Sequence, residues 1–249
     1  MTDAELNKFI SKNKEYKKTY LLAEAKKIKV PKNIDKELHD SYKLAQVLNK
    51  FIKKYIVKVK SNSDDKEFKI SKEIENFKNN YTEIVLPKKI NEIPTNLYQM
   101  SGALKFASIN LIVRSLSTDM GSLWENIADC SNLSISTDKE FGLKLSGIDI
   151  IFLKEDEIFY AQIKTMEGTL TGSQAPRSKK ELSLHKNSYF VAAFETGTGW
   201  TFNSKVIPRI KGKEFWSLLG LDYNFILEKV KKMIKEIEDY YYNLISTKN

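Results

Sequence analysis

The chain has 249 residues, with 41 lysines and arginines against 32 aspartates and glutamates, a formal net charge of +9 that favours a polyanionic partner. Its hydrophobic content of 41% supplies core for one large domain or two small ones. A single cysteine, Cys130, excludes an intramolecular disulfide framework, and with no long apolar span or signal-like N-terminus the expectation is a cytoplasmic protein without a membrane anchor.

Periodicity predicts two amphipathic helices over residues 4–30 and 35–59, separated by Pro31, and a third over 66–77. Lys50, Lys53, Lys54, Lys58 and Lys60 form a basic run on the second, read either as a solvated face or as a DNA contact. Residues 85–94 carry Pro87 and Pro94 and are the expected boundary between a helical N-terminal region, 1–94, and a core, 95–249. A long apolar helix over about 97–116 follows, then a short helix over 121–128 containing Leu123, Trp124, Glu125 and Ile127. Residues 147–164 read as a β-hairpin and 169–180 as a polar, basic loop. Residues 189–194 read as a third buried strand, 197–200 as a turn, and 212–220 and 223–244 as helices. The tyrosines 240–242 near the end suit core or a dimer contact, with core favoured. Strands gathered between helices predict a mixed α/β core with a central sheet flanked by helices.

The segment 147–164 carries the most chemistry. Glu155 and Asp156 lie between two β-rich apolar runs, so a turn centred on them pairs Asp149 with Gln162 and Gly147 with Lys164. Alternation then places Asp149, Gln162 and Lys164 on one face, and Gly147 leaves room for a ligand to approach the backbone. A slip of one residue would scatter the trio. An Asp149–Lys164 ion pair at a sheet end is the purely structural alternative. His39 and His185 are isolated, which gives a zinc site or histidine triad no support, and no G-x-x-x-x-G-K-[ST] stretch points to a nucleotide cofactor.

A Gly-x-Asp strand start followed by a strand ending Gln162-Ile163-Lys164 resembles the PD-(D/E)xK nuclease superfamily, and more narrowly its type II restriction endonucleases with a Gln-x-Lys variant. The resemblance covers about residues 114–196. Ile148 stands where the family usually has proline, and Gln162 where it usually has an acid. It implies a restriction-endonuclease-like core, with Asp149, Gln162 and Lys164 catalytic, Glu125 donated by the preceding helix, and Mg²⁺ held by Asp149, Gln162, the carbonyl of Ile163 and Glu125. A hard cation of this kind stabilises charge on a phosphate and acidifies the attacking water, while the compact lysine ammonium orients that water. A solvated, dipole-favoured glutamate is the alternative for Glu125.

Just downstream, Thr171, Ser173, Gln174, Arg177, Lys179 and Lys180 are candidate contacts to double-stranded DNA. Gln174 and Arg177 are the types that make bidentate contacts to base edges, although a solvated loop has the same composition. The resemblance implies Mg²⁺-dependent cleavage of duplex DNA at a short specific sequence, by a homodimer if the site is palindromic. A structure-specific repair or recombination nuclease and a catalytically inactive DNA-binding protein of the same fold are the two other readings.

Overall fold

The computed structural model describes residues 1–60, 65–91, 97–170, 172–197 and 199–246. The chain forms two compact units, Met1–Lys66 with Ala128–Asp222, and Glu67–Ile127 with Tyr223–Asn249.

The first unit is built on a five-stranded mixed sheet. Its strands are β1 (Ser134–Ile135), β2 (Ile150–Lys154), β3 (Glu157–Lys164), β4 (Ser188–Ala192) and β5 (Arg209–Lys211), neighbours in that order. β1–β2 and β2–β3 are antiparallel, and β3–β4 and β4–β5 parallel. The β2–β3 register pairs Ile150 with Ala161 and Lys154 with Glu157, so the turn falls on Glu155 and Asp156 as the sequence predicts. Both turn residues have positive φ, 49° and 67°, the conformation that a two-residue hairpin with native twist demands. Asp156 tolerates it; Glu155 accepts strain of about 1 kcal/mol, which the paired apolar strands offset.

Pairing across the sheet puts Ile151, Leu153, Tyr160 and Phe190 on one face, where they share a core with Leu6, Phe9, Leu21, Leu48, Ile52, Tyr55 and Leu182. That face is covered by the helices Asp3–Ile10, Lys14–Lys26, His39–Leu48, Ile52–Lys60 and Gln174–Leu182. On the other face Phe152, Phe159 and Tyr189 stack, and the Trp216 indole of the Gly212–Leu218 helix donates to the Ala193 carbonyl at 2.8 Å. Among the helices, Lys17 is buried and donates to Glu140 Oε1 at 2.6 Å and to the Tyr55 hydroxyl at 2.7 Å. A buried ammonium with both partners in place fixes how the Lys14–Lys26 and Ile52–Lys60 helices meet the Thr137–Phe141 helix.

Several expected elements differ. The helices expected at 4–30 and 35–59 are each divided: Asn13 caps a new helix that starts at Lys14, its Oδ1 accepting from the Tyr16 amide, and residues 49–51 interrupt the second. Because these helices roof the sheet, the chain does not divide at residue 94. The expected loop at 169–180 is a helix from Gln174 onward; Pro176 is tolerated in its first turn, where backbone amides lack intrahelical partners.

The second unit is helical among its described residues. Lys66–Asn80 runs through a π-helical turn, Tyr81–Val85, into Leu86–Asn91, so Pro87 lies within continuous helical structure and does not break it; Pro94 lies outside the described residues. Leu104–Asp129 is one continuous helix, so Gly121 does not open a second one. Buried Ile112, Met120, Leu123, Trp124 and Ile127 continue the apolar period across it, and packing outweighs the roughly 1 kcal/mol that an interior glycine costs. Lys78 bonds both Glu75 and Glu236 at 2.9 Å, tying Lys66–Asn80 to Tyr223–Ser246. Tyr240 and Tyr242 are exposed and are not core. Among the described residues no helix is long and apolar enough to cross a membrane.

Candidate active site

At the end of the hairpin away from its turn, regular β2–β3 pairing stops at Ile150. Beyond it the Asp149 amide donates to the Ala161 carbonyl at 2.8 Å, and the Asp149 carboxylate receives the Ile163 amide at 2.6 Å. The side chain thus takes the place of a backbone acceptor in the ladder, which pins Asp149 against the Gln162–Lys164 segment. In an extended residue the carbonyl points to the same side as the amide, so the Ile163 carbonyl faces Asp149 as well.

Gln162 and Lys164 follow Tyr160 on the same face by alternation. Gln162 is buried and its Oε1 has no hydrogen-bond partner. A buried amide oxygen without a partner is costly and marks a place that a ligand can satisfy. Lys164 is half-buried, and among the described residues it makes no ion pair, which removes the Asp149–Lys164 bridge as a purely structural explanation.

Glu181 was not foreseen. It lies on the Gln174–Leu182 helix, is buried, and packs on Gly147, where a Cβ would stand 2.1 Å from Glu181 Oε2. The space expected at Gly147 for a ligand is filled by this carboxylate. Gly147 has φ 68° in a bend held by the Leu145–Ile148 bridge and by Ser146, whose amide donates to Ser41 Oγ at 2.9 Å. Glycine is required here twice, for the backbone angle and for the approach of Glu181. Arg177 Nε donates to Glu181 Oε1 at 2.8 Å and fixes the carboxylate from the solvent side. The signal in the sequence was the spacing of Ala175, Ser178 and Leu182 as one helical stripe, with Arg177 and Glu181 four apart beside it.

The electrostatics agree with the geometry. Burial pushes the Asp149 carboxyl above the ordinary aspartate value, the Ile163 amide and Lys164 oppose that rise, and the Glu181 charge adds to it. Carboxylate and neutral amide oxygens are hard donors, the type that suits a hard divalent cation. Among the described residues no group of three or more His, Cys, Asp and Glu side chains is placed to hold a metal.

The other expected site residues fall in different places. Glu125 belongs to the second unit, near the end of the Leu104–Asp129 helix and not in the first turn of its own helix, so dipole stabilisation does not explain it. Thr171 lies outside the described residues. Ser173, Gln174, Arg177, Lys179 and Lys180 are exposed. Gln174 and Arg177 share a helix face with Glu181 and so border the site, whereas Lys179 points away. Lys180 is paired with Asp35 at 2.8 Å. The basic run of the second helix is largely spent on ion pairs: Lys53 with Asp156, Lys54 and Lys58 with Asp3, and Lys60 with Asp129. Against models of known protein families, and against curated proteins, the chain has no match.

Proposed function

We propose that this chain is a Mg²⁺-dependent nuclease of the PD-(D/E)xK type with a restriction-endonuclease-like core, cutting double-stranded DNA at a short sequence as a type II restriction endonuclease does. The observation that carries the reading is the pair of carboxylates at the hairpin end, Asp149 held by the Ile163 amide and Glu181 packed on Gly147, beside the strand segment that bears Gln162 and Lys164. Asp149, Glu181, Gln162 Oε1 and the Ile163 carbonyl would hold the cation. When bound it supplies a Lewis acid for the phosphate and lowers the pKa of water.

The chain's own residues do the rest. The Ile163 amide fixes the Asp149 carboxylate, and Arg177 fixes that of Glu181, so neither reorganises as charge develops. Lys164, without an ion pair, is available to orient the attacking water and to meet charge on the phosphate oxygens. Gln174 and Arg177, on the exposed helix face that also carries Glu181, would meet the nucleic acid, and the net charge of +9 favours its approach. Glu181 supplies the acid that Gln162 lacks, so Glu125 is no longer needed to balance the site.

The neutral amide of Gln162 favours one other reading, a DNA-binding protein that has lost cleavage. Digestion of plasmid DNA with and without Mg²⁺, followed by sequencing of the ends, separates the two. Discrete ends made only with the cation support the nuclease; retained DNA binding without cleavage in Mg²⁺ or Mn²⁺ selects the inactive protein. Preference for flaps or junctions over plasmid moves the activity to repair or recombination.

A further inference from the structure

The second unit holds a groove of about 510 Å³ lined by the Lys66–Asn80 and Tyr223–Ser246 helices, a volume that takes one small molecule and not a length of duplex. Ile74 and Met233 give it a buried apolar floor. Phe68 lines it as well and is 62% exposed, so an aromatic surface is open to an occupant. Ser71 and Asn76 add a hydroxyl and an amide, groups that both donate and accept hydrogen bonds.

Charge selects the occupant. Lys72, Lys78, Lys229 and Lys232 line the groove against two carboxylates, Glu75 and Glu236, which leaves a net +2. Lys78 holds both carboxylates at 2.9 Å, and Lys232 stands 3.7 Å from Glu236. Among the described residues Lys72 and Lys229 have no carboxylate partner; the Lys229 ammonium lies 5.3 Å from the centre of the Phe225 ring. One cation on each helix is therefore left for a ligand. A surplus of +2 matches a phosphate monoester, about −1.5 to −2 at neutral pH, better than the single charge of a diester link. An ammonium meets phosphate as a point charge, so two lysines hold it without a fixed angle. The face of a nucleic base suits Phe68, and its edge, adenine's above all, suits the Asn76 amide; a simple aryl phosphate offers only the face, and inorganic phosphate neither.

We infer that this groove binds a free nucleoside monophosphate, its base against Phe68 and Asn76 and its phosphate between Lys72 and Lys229. The site belongs to the second unit and does not rest on the nuclease reading, whose residues lie in the first.

Calorimetric titration of the full chain with adenosine 5′-monophosphate, in chelator, tests it. The wild type should saturate below about 1 mM, and adenosine and ribose 5-phosphate should each bind at least about tenfold more weakly. Lys72→Glu combined with Lys229→Glu should abolish saturation with an unchanged circular dichroism spectrum, since both side chains are exposed. Phe68→Ala should weaken binding at least about fivefold. Raising salt from about 50 to 500 mM should weaken the wild type several-fold, a readout that needs no variant to fold. Asp149→Asn should bind as the wild type does. No saturation by the wild type, or an unchanged affinity in the double variant, would overturn the proposal. So would loss of binding in Asp149→Asn, which would put the nucleotide at the hairpin end. Inorganic phosphate or phosphotyrosine binding as tightly as the nucleotide, or a 5′-phosphorylated oligonucleotide binding more tightly, would overturn it too.

Discussion

Gly147→Ala tests the contact on which the site is assembled. Two costs follow from the structure. A side chain at φ 68° costs about 1–2 kcal/mol. The new methyl also lands 2.1 Å from Glu181 Oε2 and 2.6 Å from Glu181 Cβ, both on a buried residue held by Arg177, and overpacking of this kind costs about 1–3 kcal/mol. The single variant should therefore lose about 3 kcal/mol, roughly 6–12 °C in Tm for a chain of this size. In a Glu181→Ala background the collision is gone and only the backbone strain remains. Urea denaturation of the wild type, both single variants and the double variant should give a coupling of about 1–3 kcal/mol. Additivity within about 0.5 kcal/mol would mean that Glu181 does not pack on Gly147, and the second carboxylate of the site would be lost with it.

Other expectations follow from the same geometry. Because burial and Glu181 raise the Asp149 pKa, its ionised form costs stability once pH exceeds the unfolded value of 3.8, and the cost grows until pH passes the raised folded value. Asp149→Asn should therefore melt above the wild type at neutral pH without divalent cation, and should lose the gain of about 2.7 kcal/mol that a cation at 100 times its Kd confers. An equal Tm for the two proteins without cation would contradict the burial argument. Gln162→Glu should bind Mn²⁺ tighter, by roughly tenfold, and be less stable without it, both readable by calorimetry. His185 is buried with both ring nitrogens unpartnered, stacked on Tyr160 at 3.8 Å between centroids, and burial pushes its pKa down to about 3. As pH falls below 6.5 the unfolded state takes the proton and the folded state does not, so stability drains away between 6.5 and about 3. At pH 5 the loss is about 2 kcal/mol; His185→Phe keeps the stack and should flatten that slope, and an unchanged slope would show that His185 is not its source.

The sequence sufficed for the hairpin because apolar runs flank two charged turn residues, and a slip of one would take Phe152 and Phe159 off the face where they stack with Tyr189. That register alone sets Asp149 against the strand segment from Ala161 to Ile163. Glu181 could not be placed in this way, because its role depends on a contact with Gly147, 34 residues away; the local spacing announces the helix but not what it meets. Pro176 also disguised that helix as a loop, although a proline in the first turn removes no hydrogen bond. Gly121 misled in the opposite way, since the apolar period on both sides of it holds one helix together. The basic run from Lys50 to Lys60 could be read as a solvated face or a DNA contact but not as a set of ion pairs, because its acidic partners, Asp3, Asp129 and Asp156, are distant in the chain.

Cleavage of an end-labelled duplex containing the recognition site, by the wild type and by Asp149→Asn, Lys164→Ala and Glu181→Gln, tests the site most directly. The wild type should cut in Mg²⁺ and not in chelator, and each variant should be slower by at least about 100-fold with DNA affinity nearly unchanged. A folded wild type that binds DNA without cutting in either Mg²⁺ or Mn²⁺, or full activity in any of the three variants, would contradict it.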